Sequence, residues 1–550
     1  MSESYDVVVV GAGPVGLTLA LLLADRGVGV GVLEARTTPE QAGSGSKALC
    51  MQRETLEIWD SIGIGESVAR RGTAWSVGRT YFQDTELFSI TLPGRSDEHF
   101  PPFVNISQSE VEAALVERAR SHDHITIHYG QTVGDIRQDS TSVSFIGTPT
   151  IAANDALSTK VADVADVADV SDVAPADRAM SNCRPFTGRY GVAADGARSQ
   201  VRKLLGIEFP GHSHADRFLI ADIRADLPFP AERRFWFDPP FNPGRTVLIH
   251  PQPDGVWRID WQVPDEFDLA VERESGRLEH RIRQIVGDVD YEEVWLTVYR
   301  FHQRCAQSWR EGRVFLAGDA AHLMSPFGAR GLNSGVADAA NLAWKLGHIL
   351  TERAPESLLD SYVQERRAAA QENLAVTDET MRFMAPPPDL RAERDAILQM
   401  SRIDPSARSA VNSGRLATPM VHAGGLFPPH RPEDPQLVGV VLVDVETADG
   451  SRLRRHLADA DGCWLALTTG DRPPDARPLA PSSAGGAGSA GVPGIVGMVD
   501  SSSAVRAVYA PDGRTRTWLI RPDGYVAACT GPTRDEVRAA WLAATAAVVT

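Results

Sequence analysis

Four apolar residues, 7–10, open the first regular pattern of the chain. No polar residue alternates with them, so they read as a strand buried on both faces. Gly11-Ala12-Gly13-Pro14-Val15-Gly16 follows, then an apolar helical stretch, 17–24. A second apolar run, 28–33, ends at Glu34-Ala35-Arg36. The order is strand, glycine turn, helix, strand, acid. A different rhythm governs 233–238, 245–251 and 255–263, short runs rich in Val, Ile, Phe and Trp. Pro239-Pro240, Asn242-Pro243-Gly244 and Pro253-Asp254-Gly255 punctuate them. This predicts an antiparallel sheet. In the last run Trp257, Ile259 and Trp261 alternate with Arg258, Asp260 and Gln262, giving one apolar and one polar face. A half-covered sheet of this kind would make a floor for a planar substrate.

Further along, 463–467, 495–499, 517–520 and 525–528 read as strands and 534–546 as a final helix. Pro386-Pro387-Pro388 and the stretch 417–435 mark boundaries before them. The run 161–172 repeats Val-Ala-Asp, and a period of three suits neither helix nor strand. It predicts a solvated, flexible insert over 157–178. The stretch 485–494 reads as a flexible loop.

Charge and cysteines narrow the function classes. The formal net charge of −17, with no basic stripe, argues against nucleic acid. Five scattered cysteines without CxxC suit a reducing cytoplasm and argue against disulfides or a zinc site. No stretch of about 20 apolar residues predicts a membrane span. The N-terminus opens on the strand rather than on a basic leader. A cytoplasmic protein is expected.

The glycine turn carries the first chemistry. Gly11 permits the tight turn, Gly13 lets the backbone approach a pyrophosphate, and Gly16 lets the helix pack on the sheet. The helix N-terminus offers N–H groups to phosphates, and Glu34 stands where a carboxylate can accept ribose hydroxyls. This pattern does not separate NAD from FAD. Three later features bear on that choice: the strand 313–317 running into Gly318-Asp319, the segment Pro326-Phe327-Gly328-Ala329-Arg330-Gly331-Leu332-Asn333 before a helix, and Asp195-Gly196 within 191–199. With these motifs in this order, residues 5–415 resemble the single-component, FAD-dependent aromatic hydroxylases of the p-hydroxybenzoate and 3-(3-hydroxyphenyl)propionate hydroxylase type.

The resemblance implies an α/β protein. Its Rossmann-like FAD-binding domain would lie in three pieces (1–80, 104–206 and 290–350), with an inserted antiparallel-sheet substrate domain (81–103 and 207–289). A helical connection (351–415) would lead to a C-terminal thioredoxin-like α/β domain (416–550). That domain lacks CxxC, so packing or a homodimer contact is expected of it rather than thiol exchange. Implied cofactor residues are Gly11, Ala12, Gly13, Pro14, Val15, Gly16, Glu34, Ala35, Arg36, Lys47, Gln108, Asp195, Gly196, Gly318, Asp319, Gly331, Leu332 and Asn333. The backbone N–H groups of Leu332 and Asn333 would face the flavin N1–C2=O edge, and Pro326 would line the re-oxidation site. The chain departs from the family at Ala329-Arg330, so Arg330 is expected to reach substrate or flavin.

The implied function is hydroxylation of a phenolic or polycyclic aromatic ring with NADPH or NADH and O2, through a flavin C4a-hydroperoxide. Baeyer–Villiger or decarboxylating monooxygenation and a non-catalytic flavin-binding assembly role are the alternatives. Candidate bases for the phenol are His250 and Asp238, since histidine titrates near neutrality. Trp236, with Asp238, is a candidate substrate contact. His322 is expected to pack behind the Gly-Asp turn, and Arg53 to pair with nearby carboxylates.

Overall fold

The computed structural model describes residues 3–38, 49–92, 98–150, 183–351, 354–414, 416, 420–422, 426–427, 437–460, 462–469 and 495–546. Lys47, the Val-Ala-Asp repeat and the 485–494 loop lie outside the described residues.

The apolar runs form the centre of an eight-stranded sheet. Arg310–Glu311, Val314–Leu316, Arg184–Ala193, Glu3–Val10, Val30–Glu34 and Ile125–Tyr129 follow one another across it. Glu3–Val10 pairs in parallel with both neighbours, as continuous apolar strands do when both faces are covered. Helix Pro14–Ala24 covers one face and is buried along nearly its whole length. Helix Gly331–Leu350 joins it in the same core, which includes Leu17, Leu21, Val336 and Leu342.

The predicted antiparallel sheet also has eight strands. Its order is His322–Leu323, Tyr291–Cys305, Gly211–Ala225, Val256–Val263, Thr246–Pro251, Arg233–Phe237, Val77–Phe82 and Thr85–Thr91. Domain boundaries at 80 and 290 therefore cut through it: Val77–Phe82 and Tyr291–Cys305 are strands of this sheet. It is also not half-covered. Trp257, Ile259 and Trp261 pack on one face with Leu278, Ile282 and Val286 of helix Arg277–Val286. On the other face Phe218, Phe235, Phe237 and Leu248 pack with Phe327 and with Met381 and Met384 of helix Leu358–Met384. The polar side of the alternation is thus the inner side, turned toward the 326–333 segment.

The C-terminal strands Ile495–Asp500, Trp464–Thr469, Arg516–Ile520 and Val526–Thr530 form a separate sheet in that order. The first pair is parallel and the others antiparallel. Buried charges join this unit to the rest. Glu365 accepts from Lys345 at 2.9 Å and from Arg521 at 3.0 and 2.9 Å. Trp344 donates to Asp523, which pairs with Arg521.

Candidate active site

A cavity of about 470 Å³ opens at the end of the parallel strands. It brings together Gly11 and Gly13, the Glu34-Ala35-Arg36 corner, Gln108 and Asp195-Gly196. Gly11 has φ +105°, and a Cβ there would lie 2.4 Å from the Ala194 carbonyl oxygen. The glycine turn and the Asp195-Gly196 segment therefore touch through backbone. Among the described residues a Cβ on Gly13 would meet nothing within 4 Å, so this backbone faces open space among them. No side chain caps the helix that follows. Its first-turn N–H groups lack intrahelical partners and favour an anion. Glu34 is fixed at the wall by the N–H groups of Ala12 at 2.7 Å and Arg36 at 2.8 Å. The Arg36 guanidinium bridges Glu34 and Glu112 at 3.1 and 2.9 Å, and Gln108 donates to Glu112 at 2.9 Å. Open glycine backbone, unpaired helix dipole and a fixed carboxylate fit the pyrophosphate and ribose of a dinucleotide.

Val15 explains how distant motifs meet. A Cβ on Gly318 would come within 2.9 Å of its side chain, and one on Gly335 within 2.6 Å. The Gly318-Asp319 turn and helix Gly331–Leu350 thus close onto the glycine-turn helix. Asp338 locks the turn from behind. It accepts from Gly318 N at 3.1 Å and from Arg366 at 2.8 Å, and His322 lies 2.8 Å away. Burial alone would raise this carboxyl, but Arg366 and His322 hold it below its ordinary value. His322 is fully buried and stacks on Trp309, a supporting position behind the turn. Asp319 itself is exposed. Together with Arg198 it bears on Tyr299, whose hydroxyl burial pushes up to about 12.

The 326–333 segment ends in the N-terminus of helix Gly331–Leu350. Asn333 was expected to contribute its backbone; its side chain proves to be the clasp that holds the segment. It accepts from Gln52 N at 3.0 Å and Thr55 Oγ1 at 2.6 Å, and donates to Cys50 O at 2.9 Å and Ala329 O at 2.7 Å. Gln52 Nε2 donates to the same Ala329 carbonyl at 2.9 Å. These bonds hold Ala329 at φ +56°, a left-handed conformation that disfavours a side chain. Pro326 is exposed beside buried Phe327. Arg330 is buried and donates to Asn373 on helix Leu358–Met384. Arg53 pairs with Glu98.

Two expected substrate contacts lie elsewhere. Trp236 is on the outer face, stacked on Tyr81 with ring centres 4.7 Å apart and packed into the cluster under the outer helices. Asp238, with φ +47°, braces a hairpin by accepting from Gly244 N and Gln83. It is a turn residue rather than a base. His250 does lie on the inner face, but burial, with Arg233 and Arg258 beside it, holds it well below its ordinary value. It is therefore a poor proton acceptor at neutral pH.

The inner face holds polar residues that pattern reading left unassigned. Arg233, His250, Arg258 and Asp260 gather there with Cys50. Burial pushes Asp260 up to about 7 against the pull of Arg258 and Arg233. Its charged form is thus penalised by folding, and folded stability falls as pH rises from the unfolded titration toward about 7. Asp260→Asn removes that loss. Its unfolding temperature relative to wild type should climb through this pH window, and a pH-independent difference would contradict the assignment.

The sequence profile of the FAD binding domain family matches residues 4–149 and 158–377. The chain belongs to this family. A 3-(3-hydroxy-phenyl)propionate/3-hydroxycinnamic acid hydroxylase from Mycobacterium sp. (strain KMS) is 28% identical over 460 residues, 82% of this chain and 72% of the relative. The OxyS anhydrotetracycline hydroxylase from Streptomyces rimosus is 26% identical, with a TM-score of 0.69 over 98% of this chain and 99% of that one. CabE, an aromatic hydroxylase from angucycline biosynthesis, is 25% identical, with a TM-score of 0.67 over 98% and 99%. The protein is an FAD-dependent aromatic hydroxylase, a monooxygenase class that uses NAD(P)H and O2. Among the described residues no helix is long and apolar enough to cross a membrane, and no group of three or more His, Cys, Asp or Glu could hold a metal ion.

Proposed function

We propose that this FAD-dependent hydroxylase oxygenates a phenolic ring, of polycyclic size, held between the inner sheet face and the 326–333 segment. One observation carries this reading: Phe327, within the 326–333 segment that leads into helix Gly331–Leu350, packs against Phe218, Phe235 and Phe301. An aromatic wall there suits a flat apolar ring. Polycyclic substrates are named for the anhydrotetracycline hydroxylase, and CabE belongs to angucycline biosynthesis. When bound, FAD supplies the relay of electrons from NAD(P)H and the activation of O2. The chain would supply the rest. Gly13 and the Glu34 corner would hold the dinucleotide end. Asp319 would hold the middle of the cofactor, with Lys47 assisting from its own segment. Leu332 and Asn333 N–H groups would support negative charge at the flavin edge, where a helix N-terminus acts electrostatically. Pro326 would exclude water beside the reacting carbon.

The 416–550 unit is proposed to be thioredoxin-like without redox chemistry. Its sheet order of second, first, third and fourth strand supports this, as does the lack of CxxC. Its buried contacts with Glu365 and Lys345 point to a scaffolding role.

Anaerobic reduction of the bound flavin by NADPH and by NADH, with and without phenols, naphthols and aromatic polyketides, tests the functional reading. A compound that accelerates bleaching at least about tenfold, or lowers the barrier by about 1.4 kcal/mol, is the expected result. Equal rates across the panel would contradict it.

A further inference from the structure

Asp260 sits mid-strand between Ile220 and Leu248 in register. Residues opposite one another point to one face, so its carboxylate shares the inner face with the wall around Phe327. The residue as a whole is half-buried, yet among the described residues its Oδ1 is sealed from solvent and accepts no hydrogen bond. An unsatisfied carboxylate oxygen in such a place is costly, which points to a donor supplied by a ligand. Nearby Arg258 is satisfied: it makes a two-pronged pair with Asp222 at 2.8 and 2.7 Å. Arg233 is not held in this way. It is 3% exposed, donates to the Ser413 carbonyl at 2.7 Å, and the acidic groups that bear on it are Cys50 and Asp260.

We propose that Asp260 accepts the proton of the substrate's ring hydroxyl and that Arg233 holds the oxygen left behind. The inference rests on the hydroxylase reading and names the base that reading needs. The substrate O–H bond breaks, the proton joins the Asp260 carboxylate, and the electron pair stays on the ring oxygen. Before the transfer the buried charges are Arg233 and Asp260; afterwards they are Arg233 and the phenolate. The net charge of the cluster does not change, so the step avoids the large cost of creating charge in a buried site. The phenolate then feeds electron density into the ring, as attack on an activated oxygen atom requires.

Other groups facing Asp260 do not compete for the proton. Burial pushes the Cys50 thiol up to about 12. His250 is held well below its ordinary value by burial, Arg233 and Arg258. Asp222, which also bears on Asp260, is engaged by Arg258 and by Gln252 at 2.8 Å. Asp260, pushed up to about 7 by burial, titrates near neutral pH.

The test uses FAD-loaded protein and 2-naphthol, whose neutral and ionised forms differ in absorbance. At about pH 8, above the titration of Asp260, wild type should bind 2-naphthol as naphtholate with almost no proton released to the medium, because Asp260 takes it. Asp260→Asn should either lose the naphtholate band or release one proton per site, with FAD content unchanged. Asp260→Glu should restore the band without release. Wild type that binds the neutral form, or does not bind, overturns the proposal. So does an Asp260→Asn variant that keeps the band without releasing a proton. Product formation by wild type on the aromatic panel tests the hydroxylase reading separately and survives either result.

Discussion

Replacing Gly13 with valine should leave a folded but colourless protein. The three glycines of the turn differ in what they touch. A Cβ on Gly11 would strike the Ala194 carbonyl, and one on Gly16 would lie 2.0 Å from the Gly11 carbonyl oxygen. Substitutions there would damage the protein itself. Gly13 has φ −78° and ψ 178°, which any residue adopts, and its missing Cβ faces open space. Valine would fit the protein and fill the place where the backbone must approach a pyrophosphate. FAD affinity should fall on the order of 100-fold or more, or about 2.7 kcal/mol. The ratio of flavin to protein absorbance after purification reads the loss, and circular dichroism reads the fold. A stoichiometric yellow variant would show that the pyrophosphate lies elsewhere.

Glu365→Gln should produce the largest loss of stability. The Lys345, Glu365 and Arg521 side chains are at most 1% exposed. Removing the carboxylate charge strands buried Lys345 and leaves Arg521 to Asp523 alone, and breaking such a buried pair costs about 3–5 kcal/mol. The loss should appear first as early unfolding of the C-terminal unit, followed by looser flavin, because Lys345 lies on the helix that begins at Gly331. Burial opposes ionisation of Glu365, but Arg521 and Lys345 hold its carboxyl well below its ordinary value. Its contribution is therefore complete above the unfolded titration and is lost as pH falls through the folded one. The gap between wild type and variant should narrow toward acid. Thermal unfolding across pH checks both statements. An unchanged midpoint at neutral pH would mean that the charges are compensated by solvent.

The nucleotide half was legible because its information is local. A glycine turn, its two apolar strands and Glu34 lie within 7–34, and each residue's role follows from its neighbours. The hairpin strands were legible for the same reason, through period-two alternation and turn residues. The alternation separated two faces but not which one turns inward. Trp236 was read as a substrate contact, yet it lies on the face that the outer helices cover. The inner face is defined by Phe327, some 65 residues or more away in sequence, and no spacing announces that meeting. Asn333 shows the same limit: its partners Cys50, Gln52 and Thr55 lie 283, 281 and 278 residues earlier. His250 and Asp260 were separable only by burial and by the arginines around them, which are tertiary facts. Ala329 holds its positive φ without a glycine to signal it.

Oxygen incorporation tests the central claim most directly. FAD-loaded protein would be supplied with NAD(P)H and isotopically labelled O2, together with each compound that accelerates flavin reduction, and the products weighed by mass spectrometry. A single labelled oxygen atom on the ring is the predicted result. NAD(P)H consumption that yields only hydrogen peroxide, with every aromatic compound recovered unlabelled, would contradict it.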